Sequence, residues 1–105
     1  MSTSRAKFSV GQIIRNCLFD YRGVIIDVDP YFKGSEDWYR AATRTNPPKD
    51  RPWYHVLVDG QVHRTYVAER NLEPDQSGAP VNHQDMVLYF EGQGEDGYIL
   101  RRKGN

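Results

Sequence analysis

Two alternating apolar runs flank a glycine near the middle of the chain. They extend from Tyr54 to Asp59 and from Val62 to Val67, with Gly60 between them. An Asp-Gly pair between such runs predicts a tight β-hairpin, because the favoured turn needs residues that tolerate a positive φ. We therefore expect two antiparallel strands joined by a two-residue turn.

The parity of this hairpin divides its side chains between two faces, since successive residues of a strand point in opposite directions. One face is β-branched and mostly apolar, so we expect it to face the core. It comprises Tyr54, Val56, Val58, His63, Thr65 and Val67. The other face mixes aromatic and basic side chains, so we expect it to face a partner, a covering helix or solvent. It comprises Trp53, His55, Leu57, Val62, Arg64 and Tyr66.

A second strand pair is predicted nearer the N-terminus. Gln12 to Phe19 and Val24 to Val28 are rich in strand-forming residues, and Asp20 to Gly23 separates them as a loop. Pro30 ends the second of these strands, because proline has no backbone donor for the ladder. We interpret this pair as a wall of a small β-barrel.

A short helix is predicted from about Glu36 to Thr43. Ser35 supplies an N-cap, and two carboxylates follow it in the first turn, where the helix dipole favours negative charge. Trp38 and Ala42 lie four residues apart and are expected to form the buried stripe.

The segment from Arg44 to Pro52 contains three prolines and no periodicity, which predicts a solvated loop. The cations in and around this segment suggest one of two arrangements, a basic patch near the aromatic face of the hairpin or an ordinary solvated surface. The cations concerned are Arg40, Arg44, Lys49, Arg51 and Arg64.

After the hairpin, Ala68 to Leu72 predicts one helical turn that Pro74 closes, and residues 84–90 fit either a short helix or an edge strand. We divide the chain into a disordered N-terminus (residues 1–7), a small β domain (8–74) and a linker with a C-terminal extension (75–105). Arg101 to Lys103 are interpreted as a solubilising tail, with phosphate contact as the alternative.

Composition agrees with one small, turn-rich domain: 105 residues with nine glycines, six prolines and 12% aromatic residues. The formal net charge is zero at pH 7, which argues against a dedicated nucleic-acid binder. Cys17 is the single cysteine, and the chain has no apolar run typical of a signal peptide or a membrane span. We therefore expect a cytoplasmic protein with no membrane partner.

No motif in the chain indicates catalysis or a cofactor. His55 and His63 fall on opposite faces of the hairpin, so they cannot share a metal ion. Cys17 has only Arg15 as a cationic neighbour and is interpreted as an inert side chain. The glycines at 92, 94 and 97 match a phosphate-loop spacing by accident, because acidic residues occupy that loop. We expect no enzyme activity, no metal and no cofactor.

Four blocks of sequence carry a family resemblance. They are KFSVGQIIR, FDYRGVIIDVDP, PWYHVLVD and TYVAERNL, in that order between Lys7 and Leu72. Together they resemble the YccV-like, or hemimethylated DNA-binding, proteins. The resemblance implies a mainly β fold, a small SH3-like β-barrel with a short helical insertion. It also implies a cytoplasmic heat-shock protein that self-associates, as a trimer.

The resemblance implies two kinds of function. In the first, the protein is a non-enzymatic adaptor that promotes degradation of particular proteins, including the replication initiator, by a Lon-type protease. Trp53, His55 and Tyr66 would then be the contact residues, because aromatic anchors dominate interface energetics. In the second, the protein binds hemimethylated duplex DNA and regulates initiator expression, with Arg15, Arg22 and Arg64 on phosphates. A further alternative is that the aromatics pack under the helix or in a subunit interface.

Overall fold

The computed structural model describes residues 5–102. Residues 1–4 of the predicted disordered N-terminus, and Lys103 of the basic tail, lie outside them. Within the described range, the main sheet has five antiparallel strands in the order β4-β3-β2-β1-β5. They are β1 (Ile13–Asn16), β2 (Tyr21–Asp29), β3 (Trp53–Val58), β4 (Arg64–Ala68) and β5 (Leu72–Pro74).

The prediction of a mainly β fold is confirmed. The sheet is not closed, because β4 and β5 form its two edges and do not pair with each other in the described part of the chain. The SH3-like barrel stays a prediction.

The predicted helix is present as α1 (Glu36–Ala42), and the Ser35 side chain accepts a hydrogen bond from the Trp38 N–H at 3.0 Å. Its buried residue is Tyr39, whereas Trp38 is 37% exposed and Ala42 is exposed. The predicted stripe of Trp38 and Ala42 was therefore wrong. Tyr39 is buried because its hydroxyl donates to the Pro47 carbonyl and its ring packs against the sheet.

The central hairpin keeps the predicted division of faces, although its loop is longer than predicted. The Val58 N–H donates to the His63 carbonyl at 3.2 Å, so four residues rather than two form the loop. An even loop length preserves the parity of the two strands. Val62 and His63 precede β4 and are exposed, so the predictions of Val62 as a strand residue and His63 as a core residue were wrong.

Both faces of β3 are buried. One face packs in the principal core, with Tyr54 and Val56 against Ile14 and Ile25. On the opposite face, Trp53 packs with Tyr39 of α1. Of the three alternatives for the aromatic face, a covering helix is therefore the correct one at its Trp53 end, and that helix is α1.

The turn between β1 and β2 lies earlier than predicted, at residues 17–20. The side-chain oxygen of Asn16 accepts the N–H groups of Leu18 at 2.8 Å and Phe19 at 3.0 Å, and Asp20 adopts a φ of 56°. Asn and Asp favour such turns because their side chains bond nearby backbone and tolerate this conformation. Cys17 is consequently exposed rather than part of an apolar strand.

The C-terminal segment folds back onto the sheet. The short helix α2 (Met86–Tyr89) is the helical alternative for that region, and β6 (Phe90–Gly94) and β7 (Gly97–Leu100) form a hairpin after it. Val81 and Phe90 pack with Val24 and Leu57. Among the described residues, no helix combines the length and apolar character that a membrane crossing needs.

Candidate binding groove

An open groove of about 400 Å³ lies along β4. Its other walls come from α1 with the loop that follows it and from the turn between β1 and β2. Every residue of β4, from Arg64 to Ala68, lines it. We call this feature the β4 groove.

Exposed apolar side chains line the β4 groove on both sides of the strand. Leu18 is 46% exposed and Phe19 is 62% exposed on the turn between β1 and β2, and Trp38 of α1 is 37% exposed. Large apolar groups gathered around a concavity are typical of a binding surface.

Trp53 forms part of the groove wall but is itself buried, at 1% exposure. Its indole N–H donates to the Pro48 carbonyl at 3.0 Å, and its ring centroid lies 4.8 Å from that of Phe32. Trp53 therefore supports the groove from below, which is the packing alternative of the sequence analysis.

Tyr66 and His55 lie at the groove with their polar atoms held by Asp29. The Tyr66 hydroxyl donates to Asp29 Oδ2 at 2.6 Å, and His55 Nε2 lies 3.1 Å from the same oxygen. The rings of Tyr66 and His55 are 4.5 Å apart at an interplanar angle of 37°. These contacts fix the orientation of both rings.

The electrostatics of this cluster follow from those bonds. Desolvation acts to raise the pKa of Asp29, but hydrogen bonds from Tyr66 and His55 outweigh it and the pKa is lowered. The pKa of Tyr66 is raised, first by desolvation and then by its bond to Asp29. Asp29 is therefore a carboxylate and Tyr66 a neutral donor at neutral pH.

The structure gives this cluster one further acidic neighbour. Asp27, Asp29 and His55 each bring one potential ligand atom within 4.8 Å of the others. Asp27 and His55 are paired across β2 and β3. Sequence parity correctly separates His55 from His63 but does not show these carboxylates beside His55, since they belong to another strand.

Two of the three arginines predicted to contact phosphate lie outside the groove lining, and both bind carboxylates. Arg15 contacts Asp20 at 2.5 Å and Glu73 at 3.0 Å. Arg22 contacts Asp59 at 2.9 Å and Asp75 at 3.1 Å, and it also donates to the Ala79 carbonyl. The guanidinium of Arg22 therefore ties β2 to the segment after β5.

Arg64 does line the groove. It donates to Asp85 at 2.9 Å and to the Tyr89 hydroxyl at 2.7 Å, and it lies over the Tyr89 ring. Its charge is therefore compensated by Asp85, in a pair whose arginine side chain is 46% exposed.

The cations of α1 and of the loop after it also differ, since some are paired with carboxylates and Arg44 lines the groove. Arg40 contacts Asp37 at 3.0 Å and Lys49 contacts Glu36 at 2.5 Å, so these two are paired within the α1 region. Arg44 lines the β4 groove, and no carboxylate partner is found for it in residues 5–102. The charged residues of the lining are thus Arg44 and Arg64, with no carboxylate among the described lining residues.

Leu18 and Phe19 are the groove residues that sequence reasoning missed, because both were assigned to a strand. The available signal was Asn16 followed four residues later by Asp20, a pattern that favours a turn. Trp38 was predicted to be buried, and only its packing with Phe32 and Tyr66 shows it at the groove.

Comparison with protein families agrees with the resemblance found in the sequence. The family model for "Hemimethylated DNA-binding protein YccV like" matches residues 6–97. The match extends beyond Pro74, through α2 and β6, so it includes the segment that packs Val81 and Phe90 on the sheet.

Proposed function

Since the chain belongs to the YccV-like family of hemimethylated DNA-binding proteins, we propose that it acts by binding and not by catalysis. Its β4 groove binds polypeptide from proteins that are to be degraded. By doing so, the protein promotes degradation of specific or denatured proteins, including the replication initiator, by a Lon-type protease.

The observation that carries this proposal is the exposed apolar lining of the groove. Leu18, Phe19 and Trp38 present large apolar surfaces around a concavity that is already formed. Denatured proteins expose apolar side chains, and aromatic anchors supply most of the binding energy in protein interfaces. A preformed groove also lowers the entropic cost of binding.

The distribution of charge supports the same partner. The net charge is zero, and Arg15, Arg22 and Arg64 already contact carboxylates. A polypeptide partner does not require a basic surface, whereas tight binding to duplex DNA depends on several phosphate contacts.

The test is degradation of a denatured substrate by a purified Lon-type protease, with and without the protein. Phe19→Ala is expected to reduce the stimulation about fivefold or more without unfolding the protein, because Phe19 is 62% exposed. Val62→Ala is the matched control, since Val62 is 65% exposed and is not a lining residue. Equal loss in both variants, or no stimulation by the unmodified protein, would refute the proposal.

Hemimethylated duplex DNA is the second candidate partner, through which the protein would regulate expression of the replication initiator. The family match favours it, and so does a groove whose charged lining residues are both arginines. The measurement is fluorescence anisotropy of hemimethylated, fully methylated and unmethylated duplexes at ~50 and ~200 mM salt. Saturable binding that prefers the hemimethylated duplex at the higher salt would establish a DNA reader. Binding that is lost at the higher salt and is equal for the three duplexes would exclude hemimethylated DNA as the partner.

The family resemblance supports a protein that is located in the cytoplasm and assembles as a homotrimer. Exposed apolar side chains on α2 and β7 offer a surface for subunit contacts, at 65% for Val87, 62% for Leu88 and 50% for Ile99. Sedimentation equilibrium tests the oligomer, and a monomer at micromolar concentration would reject it.

A further inference from the structure

We propose that the free edge of β4 binds an extended, acidic segment of the partner polypeptide as an additional β-strand. This binding mode rests on the polypeptide-binding function proposed above. It specifies the conformation of the bound segment and the backbone atoms that hold it.

The first observation is the direction of the β4 backbone groups. β4 ends the sheet, and within residues 5–102 it pairs with β3 alone. The Val58 N–H donates to the His63 carbonyl. Because every second residue of an antiparallel strand is hydrogen-bonded to its neighbour, Thr65 and Val67 are the residues of β4 that exchange backbone hydrogen bonds with β3. The N–H and C=O groups of Arg64 and Tyr66 therefore point away from β3.

Those outward groups are available. Within residues 5–102, no hydrogen bond engages the backbone N–H or C=O of Arg64 or Tyr66. Unpaired backbone groups along a strand edge bind another extended chain by the same ladder that joins strands within a sheet.

The second observation is that the groove follows this edge. Side chains alternate between the faces of a strand, so a groove on one face is lined by every second residue. The β4 groove is lined by five consecutive residues, from Arg64 to Ala68. It therefore opens onto the edge of β4, and an occupant lies beside the backbone.

The third observation is that both faces beside the edge carry side chains that an added strand would contact. On one face, the ring of Tyr66 is 5.7 Å from that of Trp38. On the other, the Tyr21 hydroxyl and the Thr65 hydroxyl are 2.6 Å apart. Alternate side chains of a bound segment would pack against these two pairs in turn.

Charge decides between the possible occupants. Arg44 and Arg64 are the charged residues of the lining, and Arg44 has no carboxylate partner in the described part of the chain. An acidic residue in the bound segment would complement Arg44. A second copy of this chain fits less well, because its own β4 (Arg64–Ala68) carries no carboxylate that could pair with Arg44.

The experiment measures amide hydrogen exchange by NMR on the ¹⁵N-labelled full chain, with and without reduced, carboxymethylated α-lactalbumin. This probe is an acidic polypeptide that stays unfolded. The amides of Arg64 and Tyr66 should exchange rapidly in the free protein and at least tenfold more slowly in the complex. A complex that leaves both amides unprotected would overturn the added strand while leaving the proposed function intact. Absence of any complex would overturn the proposed function itself.

A charge variant tests the acidic preference of the groove. Arg44→Glu should weaken binding of the same probe about tenfold, whereas Arg102→Glu changes the net charge equally outside the lining and should have little effect. Equal effects of the two variants would refute the role of Arg44.

Two further results would assign the edge to another occupant and overturn the proposal. One is protection of Arg64 and Tyr66 that needs no probe and rises with protein concentration, which would indicate pairing of two copies. The other is protection by hemimethylated duplex and not by the unfolded polypeptide.

Discussion

The Tyr66 hydroxyl donates to Oδ2 of Asp29 over 2.6 Å, and this bond joins β4 to the end of β2 across the intervening strand β3. Asp29 has a side-chain exposure of 13%, and the same oxygen also lies 3.1 Å from His55 Nε2. One carboxylate therefore connects three strands next to the β4 groove.

Tyr66→Phe should lower the free energy of unfolding by about 1–2 kcal/mol, because Asp29 loses a charge-assisted donor and the Lys33 N–H loses its acceptor. Urea unfolding measures this loss. Tyr31→Phe is the control, since Tyr31 is 55% exposed. A loss of the same size in the control would show that the bond to Asp29 contributes nothing specific.

Stability should fall in acid because of Asp29 and Asp75. Desolvation acts to raise the pKa of Asp75, but hydrogen bonds from Arg22 and Ser77 outweigh it and leave the pKa below its ordinary value of 3.8. A lowered carboxyl pKa stabilises the fold above the unfolded-state pKa, and this contribution is lost as the pH falls through the folded-state pKa. Urea unfolding at pH ~6 and pH ~2.5 should show a smaller difference for Asp75→Asn than for the unmodified protein. Asp37→Asn is the control, because the Asp37 side chain is 94% exposed.

The two tryptophans should differ sharply in their contribution to stability. Trp53→Ala removes a side chain that is 1% exposed and should cost about 3–5 kcal/mol. Trp38 is 37% exposed, so Trp38→Ala should cost much less and should chiefly weaken partner binding. Chemical denaturation followed by circular dichroism compares them, and equal losses would contradict the buried position of Trp53.

Arg22 and Arg15 should also differ, although both bind two carboxylates. The side chain of Asp75, which Arg22 contacts, is only 5% exposed. Arg22→Met leaves this buried carboxylate without its cation, although Ser77 still donates to it, and should cost about 3 kcal/mol. The partners of Arg15 have side-chain exposures of 77% and 50%, so Arg15→Met should change stability little. Thermal unfolding compares the two variants. A larger loss of stability for Arg15→Met than for Arg22→Met would contradict this prediction.

Gly97 and Gly60 form a matched pair, because both have a positive φ but only one is packed. Gly60→Ala, at a φ of 76° with no atom of the described residues within 4 Å of the added carbon, should cost about 1 kcal/mol of backbone strain. An added carbon on Gly97, at a φ of 129°, would lie 2.4 Å from the Gly11 carbonyl oxygen. Gly97→Ala should therefore cost at least twice as much and disturb the amide of Tyr98, which donates to that oxygen. NMR spectra in which the Tyr98 amide keeps its position would contradict this contact.

Much of the secondary structure was predictable because its causes lie within a few residues. Ser35 caps α1 through an atom three residues away, and alternation in Tyr54 to Val58 separates the two faces of β3. The length of the hairpin loop was wrong, yet the faces were correct because two-residue and four-residue loops have the same parity. The early turn at Leu18 was missed because apolar residues there resembled a continuing strand.

The burial of Tyr39 in place of Trp38 shows the limit of periodicity. Both are aromatic residues of α1, and the pattern of a seven-residue helix does not specify which of them faces the sheet. The Pro47 carbonyl and the ring of Trp53 decide it, and both lie outside the helix.

The sequence by itself determined the first four strands, the capped helix, the division of the hairpin faces and the family. Each depends on neighbouring residues or on blocks of sequence read in order. Only the tertiary structure decided that Arg22 holds Asp75, 53 residues away, and that Tyr66 holds Asp29, 37 residues away. It likewise decided that β4 ends the sheet beside Leu18 and Phe19, because a strand edge is left free by where distant strands pair and not by the residues of the strand itself.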